Sequence, residues 1–456
     1  MLVEVAHGLN SDAVHISAAL TYTLVVVLAA LLAKGQATGA LASFRMLIAA
    51  GLMLSPQLGV GTQVLILSPD HVGTVAPVLA AWLVLDRFGH RRWGPALVGL
   101  LLAWALVADA ITLYIGIAPL LAVCLARALR ETVIRRQPLP ASRYELGLAV
   151  AALVALVVGL KAPAVIHALG GYSIMPAPHT LAPFSELPTR LRITGQGLLL
   201  LFGADFFGLR AGFSSGLVLL HLAGVALAGW AVCRAARRFW REDEAGLVVP
   251  VVTVGTVLIV AAYLFGQQVP GIGYSHEMAP ALPFASVLAG RLLAGRLSSP
   301  RLIPVAAAVL LGYVLTLGIN AAQPPAGTPP PGNARLISWL AARHLRYGLS
   351  GYWQADALTL ASGNEVQIRT LAQPGGGNRL TASGWESQDS WYDPRRHDAD
   401  FVLLFSGQRG FAGQAGLVPF SPTAAISATF GQPAASYRLG PYTVLVWHRN
   451  LLRDLS

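Results

Sequence analysis

The sequence predicts a mainly α-helical, polytopic membrane protein of about ten spans, followed by a small extracytoplasmic α/β domain. Three observations predict it. Only 12% of the 456 residues are charged, about half the density of a soluble globular chain, and the mean hydropathy is +0.60. Apolar runs long enough for a spanning helix recur along the first two thirds of the chain,. Every second loop between those runs is rich in arginine, the alternation that the positive-inside rule produces. Together these exclude an ordinary soluble enzyme and a disordered chain.

The expected spans, in order, are Val14–Ala33, Ala40–Leu58, Val72–Leu85, Trp93–Ala108, Ile111–Ala128, Leu146–Leu160, Gly216–Ala235, Leu247–Gly266, Ala279–Leu297 and Leu302–Ala322. The third is the weakest, because Gly59-Val60-Gly61-Thr62 before it suits a re-entrant approach. Basic clusters follow the third, fifth, seventh and ninth runs. They are Arg87, Arg91 and Arg92; Arg127, Arg130, Arg135, Arg136 and Arg143; Arg234, Arg237, Arg238 and Arg241; and Arg291, Arg296 and Arg301. With Lys34 and Arg45 these place 17 basic residues on the cytoplasmic side, against four (Lys161, Arg190, Arg192, Arg210) on the other before residue 323,. The expected address is therefore the cytoplasmic (inner) membrane of a bacterium, with the N-terminus and the C-terminal domain outside.

Met1–Ala13 lacks the basic and apolar regions of a signal peptide,. Two explanations stand: a short translocated tail, or a start downstream of a lost helix and loop. The formal net charge of +11 would suggest nucleic acid in a soluble protein,. Here it is a topology signal, since the assigned cytoplasmic side carries the excess, and no nucleic-acid partner is expected. Cys124 and Cys233 lie in apolar runs and form no disulfide or metal-spacing motif,.

Residues 1–322 form the expected membrane domain. Its long outward loop, 161–215, holds five prolines and an apolar stretch, Gly195–Phe207, of about half bilayer length, suited to an interfacial or re-entrant helix,. Residues 323–333 read as a proline-rich spacer,. Residues 334–456 read as the α/β domain. Ala334–Tyr347 and Trp353–Ala361 are helical, the first with Leu336, Ile337, Leu340 and Leu345 on one stripe,. Glu365–Leu371, Phe401–Phe405 and Tyr442–Trp447 are strands, and Gly375–Gly377 and Ser406–Gly416 are loops,.

Ionisable groups near a bilayer are costly and mark function, so the scarce outward ones are the candidates. Asp12, in Asn10-Ser11-Asp12, can act as a general base or cap the first helix,. Asp70 and His71, in Ser68-Pro69-Asp70-His71, can serve as a base and a phosphate anchor, offer two metal ligands, or cap the third helix,. Asp109 reads as a turn residue,. Asp205 can hold a sugar hydroxyl or cap its stretch. His276 and Glu277, after Tyr274-Ser275, suit a polar pocket for a lipid-linked phosphate or sugar. Arg190 and Arg192 are the outward groups able to grip phosphate bidentately,. In the tail, Gly351-Tyr352-Trp353-Gln354-Ala355-Asp356 and Asp389-Ser390-Trp391-Tyr392-Asp393 place aromatics beside acids, a pattern that suits the domain's core or sugar stacking,.

The ten or so spans, acids at the first outward positions, a long proline-rich outward loop, and the tail with Tyr347-Gly348-Leu349-Ser350-Gly351-Tyr352-Trp353 through Ser362-Gly363 together resemble the multispanning C-type glycosyltransferases. These include bacterial relatives of the protein O-mannosyltransferases and of the aminoarabinose transferase. The resemblance implies inverting transfer of a sugar from a polyprenyl-phosphate donor to an acceptor glycan, lipid or protein in the cell envelope. It implies an acid that deprotonates the acceptor hydroxyl, with Asp12 the nearest match to the family's first-loop aspartate and Asp70 the second catalytic candidate. His71, Arg190, Arg192, Asp205, His276 and Glu277 are the candidates for substrate binding. No cofactor is expected beyond the lipid-linked sugar as co-substrate, and a divalent metal is left open. The other readings are a non-catalytic membrane scaffold or sensor, which a truncated start would favour, and a transporter or flippase. The latter would need ionisable groups near mid-helix, and here the acids lie at helix ends,.

Overall fold

The structure is a computed structural model. It describes residues 11–55, 70–89, 91–134, 143–174, 180–207, 213–241, 246–266, 271–299, 301–321, 331–373, 378–406 and 422–455. The glycine-rich approach at 59–62 and the loops at 375–377 and 407–416 lie outside them.

The membrane part comprises α1 (Ser11–Lys34), α2 (Gly39–Met53), α3 (Asp70–Phe88), α4 (Gly94–Ala108), a π-helical turn (Leu113–Ile117) running into α5 (Ala118–Leu129), α6 (Arg143–Ala168), α7 (Leu187–Leu201), α8 (Phe213–Leu220), α9 (Leu222–Arg241), α10 (Val248–Phe265), a 3₁₀ segment (Ile272–Met278), α11 (Ala281–Leu297) and α12 (Ile303–Ala321). Among the described residues six helices are long and apolar enough to cross a membrane: Ala13–Lys34, His71–Phe88, Leu113–Thr132, Arg143–Ala168, Val218–Phe239 and Val248–Phe265. A seventh results if the 3₁₀ segment and α11, bent by 52°, count as one span. Among the described residues the count of such helices is therefore lower than the ten spans expected. Gly39–Met53, Gly94–Ala108 and Ile303–Thr316 are apolar but shorter. A 15-residue helix such as α4 extends about 22 Å, less than the roughly 30 Å hydrocarbon core.

Helix α11 sits among the others and packs against α1, α2, α9 and α10. Every residue from Ala281 to Gly290 is buried. At its far end Arg291 meets Asp86 of α3 at 2.6 Å, and its Nε donates to the Leu32 carbonyl of α1 at 2.7 Å. Residues 195–207 belong mostly to α7, which starts eight residues before the expected stretch, at Leu187, and turns at Phe202.

The C-terminal α/β domain holds α13 (Pro331–Ala342), β1 (Tyr347–Ser350), α14 (Tyr352–Ala361), β2 (Gln367–Ala372), β3 (Thr381–Ala382), β4 (Phe401–Phe405), α15 (Pro422–Phe430), β5 (Ala435–Leu439) and β6 (Tyr442–Val446). The sheet order is β3-β2-β1-β4-β6-β5. β1 runs parallel to both β2 and β4, and the outer pairs are antiparallel. Successive residues of β4 point to opposite faces. Phe401 and Leu403 join Leu336, Leu340 and Val444 on one side, and Val402 joins Leu349, Phe430 and Trp447 on the other.

Two sequence readings change here. Helix α13 begins at Pro331, inside the expected spacer, because proline's fixed φ suits a first helical turn,. It ends at Ala342, and Tyr347, expected to close that helix, opens β1 instead. Gly348 is required in this strand: a Cβ there would overlap the ring of Phe401 on β4.

Asp400 precedes β4. Its Oδ1 is buried with no hydrogen-bond partner. Burial, and then Asp398 nearby, push its carboxyl up to about 6, above the usual unfolded value of about 3.9. The folded state therefore holds the proton more tightly. The stabilisation is present below about pH 4 and lost as pH rises through about 6. With the carboxyl partly exposed and screened, the loss is on the order of 1 kcal/mol. Asp400→Asn is expected to flatten the difference in the domain's thermal unfolding midpoint between pH 5 and pH 8. An unchanged difference would remove Asp400 as its cause.

The domain meets the helical part along residues 167–173. Ser173 pairs with Ser387, with Ser173 N donating to Ser387 O at 2.8 Å. Tyr172 meets Trp391 edge-on at 5.6 Å. His167, at the end of α6, lies 3.1 Å from Asp389.

Candidate functional site

Three separate pieces of chain bring polar side chains together at one end of the bundle. His71 stands in the first turn of α3, Asp109 directly follows α4, and His276 and Glu277 lie on the 3₁₀ segment before α11. This is the end that faces the α/β domain, because α5 with its π-turn and α6 form a hairpin whose open end carries both Asp109 and His167.

His71 is the hub. Its Nδ1 lies 2.7 Å from Asp109 Oδ2, and its Nε2 lies 3.3 Å from Glu277 Oε2. The ring stacks on that of His276, centroids 5.3 Å apart and planes within 8°. Asp109 is tied on every side: Thr74 Oγ1 donates to Oδ2 at 3.0 Å, and the Ile111 amide donates to Oδ1 at 2.9 Å. Burial works against the Asp109 carboxylate, yet the bonds from His71, Ile111 and Thr74 outweigh it and hold the carboxyl below its usual value,.

Both histidines engage Nδ1 with an acceptor. For His71 it is Asp109; for His276 it is the Gly273 carbonyl at 2.9 Å. This turns both Nε2 atoms toward the Glu277 carboxylate, at 3.3 and 4.0 Å. One ligand atom from each of His71, His276 and Glu277 lies within 4.8 Å of the others. Outward-held Nδ1 and converging Nε2 atoms are the arrangement that histidine metal ligands adopt. Two imidazoles and a carboxylate suit a borderline divalent ion such as zinc or manganese. The residues therefore fit a divalent cation.

Of the sequence candidates, His71, His276 and Glu277 meet here. Asp70 is the first residue of α3, and Asp12 lies in the first turn of α1; their side chains lie outside the described residues. Arg190 is 4% exposed. It bonds Glu186 through Nε at 3.0 Å and Nη2 at 2.9 Å, and the Gly266 carbonyl through Nη1 at 2.5 Å. Arg192 is exposed. Asp205 accepts from Gln196 Nε2 at 3.3 Å and from the Phe207 amide at 3.2 Å, closing a turn beyond the end of α7. Asp109, read only as a turn residue, makes that turn with Ile111 and also holds His71. An acid directly after an apolar run was the available signal.

No protein-family model matches the chain, and no curated protein does. The chain is similar to two solved structures of an Archaeoglobus fulgidus oligosaccharyltransferase. One is tethered through a disulfide to an acceptor peptide containing the NVT sequon: 12% identity, TM-score 0.45, covering 87% of this chain and 58% of that one. The other is a complex with Zn and sulfate: 11% identity, TM-score 0.47, covering 88% and 57%. The chain spans less than two thirds of the length of either.

Proposed function

We propose that the chain is an integral membrane glycosyltransferase that moves a sugar from a polyprenyl-phosphate donor to an acceptor glycan, lipid or protein at the outer face of the membrane. The observation that carries this reading is the convergence of His71, Asp109, His276 and Glu277 at one end of a bundle of apolar helices. A lipid-linked phosphate resides at that depth.

Charge balance refines it. Asp109 and Glu277 bring two carboxylates to the cluster, so a phosphate would meet like charge there. A divalent cation held by His71, His276 and Glu277 would offset those two carboxylates and help to neutralise the leaving phosphate. Asp109 would orient His71. Asp70, one residue away on the same turn, would take the proton of the acceptor hydroxyl. The acceptor oxygen then bonds the sugar's anomeric carbon as the bond from that carbon to the phosphate oxygen breaks. The polyprenyl phosphate departs with the electron pair.

The test is transfer of radiolabelled sugar from a polyprenyl-phosphate pool to membrane acceptors by the purified, reconstituted protein. Glu277→Gln is expected to reduce transfer by about 100-fold or more, with the thermal midpoint unchanged within a few degrees. Wild-type rates in a folded Glu277→Gln protein would sink the assignment.

A further inference from the structure

A stretch outside the apolar helices is fastened to the end of one that crosses the bilayer. Leu181 pairs antiparallel with Gly266, and the Ala182 amide donates to the Phe265 carbonyl at 2.8 Å. Phe265 is the last residue of α10, itself long and apolar enough to span. A second tether follows from Arg190, whose Nη1 donates to the Gly266 carbonyl at 2.5 Å. Whatever is bonded to the terminus of a spanning helix lies at the same depth, at the boundary of hydrocarbon and headgroups.

The apolar side chains of Leu181, Phe184 and Leu191 on this fastened stretch face away from the protein. Phe184 is 87% exposed, Leu181 79%, Leu191 53%, and Phe265 beside them 44%. The lipid-facing side of α6 shows similar values, with Leu160 at 66% and Val157 at 60%. The exposed apolar surface of the spans therefore continues onto residues 181–191. Arg192, exposed next to Leu191 on α7, places a guanidinium where headgroup phosphates lie.

We propose that residues 181–191 form an interfacial anchor whose occupant is the bilayer itself, with Leu181, Phe184 and Leu191 inserted at the acyl–headgroup boundary. The anchor is coupled to the polar cluster. The buried face of α7 packs on the 3₁₀ segment carrying His276 and Glu277, and a Cβ at Gly197 would press on Ser275 and Met278. Insertion of the anchor thus sets the depth of those two side chains.

The full chain with Cys233→Ser, which leaves only buried Cys124, is reconstituted in phosphatidylcholine–phosphatidylglycerol nanodiscs. An environment-sensitive NBD probe is attached at Phe184→Cys or, in a second variant, Leu191→Cys. Leu160→Cys serves as the lipid-facing reference and Glu365→Cys as the aqueous one. Both anchor probes are expected to lose about half their emission or more to lipids doxyl-labelled near the headgroup, and to be shielded from iodide as Leu160→Cys is. Iodide quenching equal to that at Glu365→Cys, or no doxyl quenching at both positions, would overturn the proposal.

Discussion

Replacing His71 with alanine is expected to lower sugar transfer by about 100-fold or more. The change removes the group that, among the described residues, bridges two half-buried acids, Asp109 at 2.7 Å and Glu277 at 3.3 Å. It leaves two carboxylates facing each other with no proton-bearing partner between them, and deletes one of the three groups able to hold a cation. His71→Gln keeps a polar side chain in the space and serves as the folded control; it is expected to be nearly as inactive. Asp109→Asn should cost less, about 10- to 100-fold. An asparagine can present its amide NH₂ to His71 Nδ1 and so favour the tautomer with the proton on Nε2, pointing at Glu277 instead of a lone pair. The measurement is kcat/KM for transfer alongside the thermal midpoint. Full activity in folded His71→Gln would show that the cluster is not the reacting site.

The polar cluster was half legible from the sequence. His71, His276 and Glu277 stood out because ionisable groups at the ends of apolar runs are scarce in this chain. Their meeting was not legible, since 71 and 277 lie on different helices and nothing in hydropathic periodicity encodes which helix ends adjoin. Arg190 was read as a phosphate ligand for its rarity among outward cations. Its burial depends on the Gly266 carbonyl, freed where α10 ends, and on Glu186 one turn earlier, a pairing that no spacing rule supplies across 76 residues. Among the described residues fewer helices reach spanning length than the apolar runs predict, because apolar composition continues past helix ends. In the run that begins at Ala40, the helix ends at Met53, where the chain turns and Ser55 Oγ donates to the Leu52 carbonyl. In the α/β domain β4 and β6 were legible as β-branched and aromatic runs. β1 was not, because Tyr-Gly-Leu-Ser shows no alternation: it is buried on both faces, and its glycine answers to Phe401 on a neighbouring strand.

Arg291→Leu is expected to destabilise the helical bundle by about 1–3 kcal/mol, the cost of leaving a buried polar group without its partner, since Arg87, with Nε 4.0 Å from Asp86 Oδ2, compensates the charge only in part. Asp86 and Arg291 are 8% and 14% exposed, 2.6 Å apart. They join α3 to α11, the helix packed on most sides by others. Arg291 also caps: its Nε serves the Leu32 carbonyl, one of the last four of α1, which have no partner within their own helix. Asp86→Leu should do comparable harm by stranding the guanidinium. The double variant Asp86→Leu/Arg291→Leu separates the two contributions. It removes the uncompensated charge, since apolar groups of similar size can replace a buried pair nearly without loss, but it does not restore the cap. It should therefore recover most of the stability, stopping short of wild type by about 1 kcal/mol, the worth of one hydrogen bond. The thermal midpoint of the detergent-solubilised protein measures this. A double variant as unstable as either single one would mean that the pair acts through packing of the two side-chain stems, and that the charge itself holds nothing together.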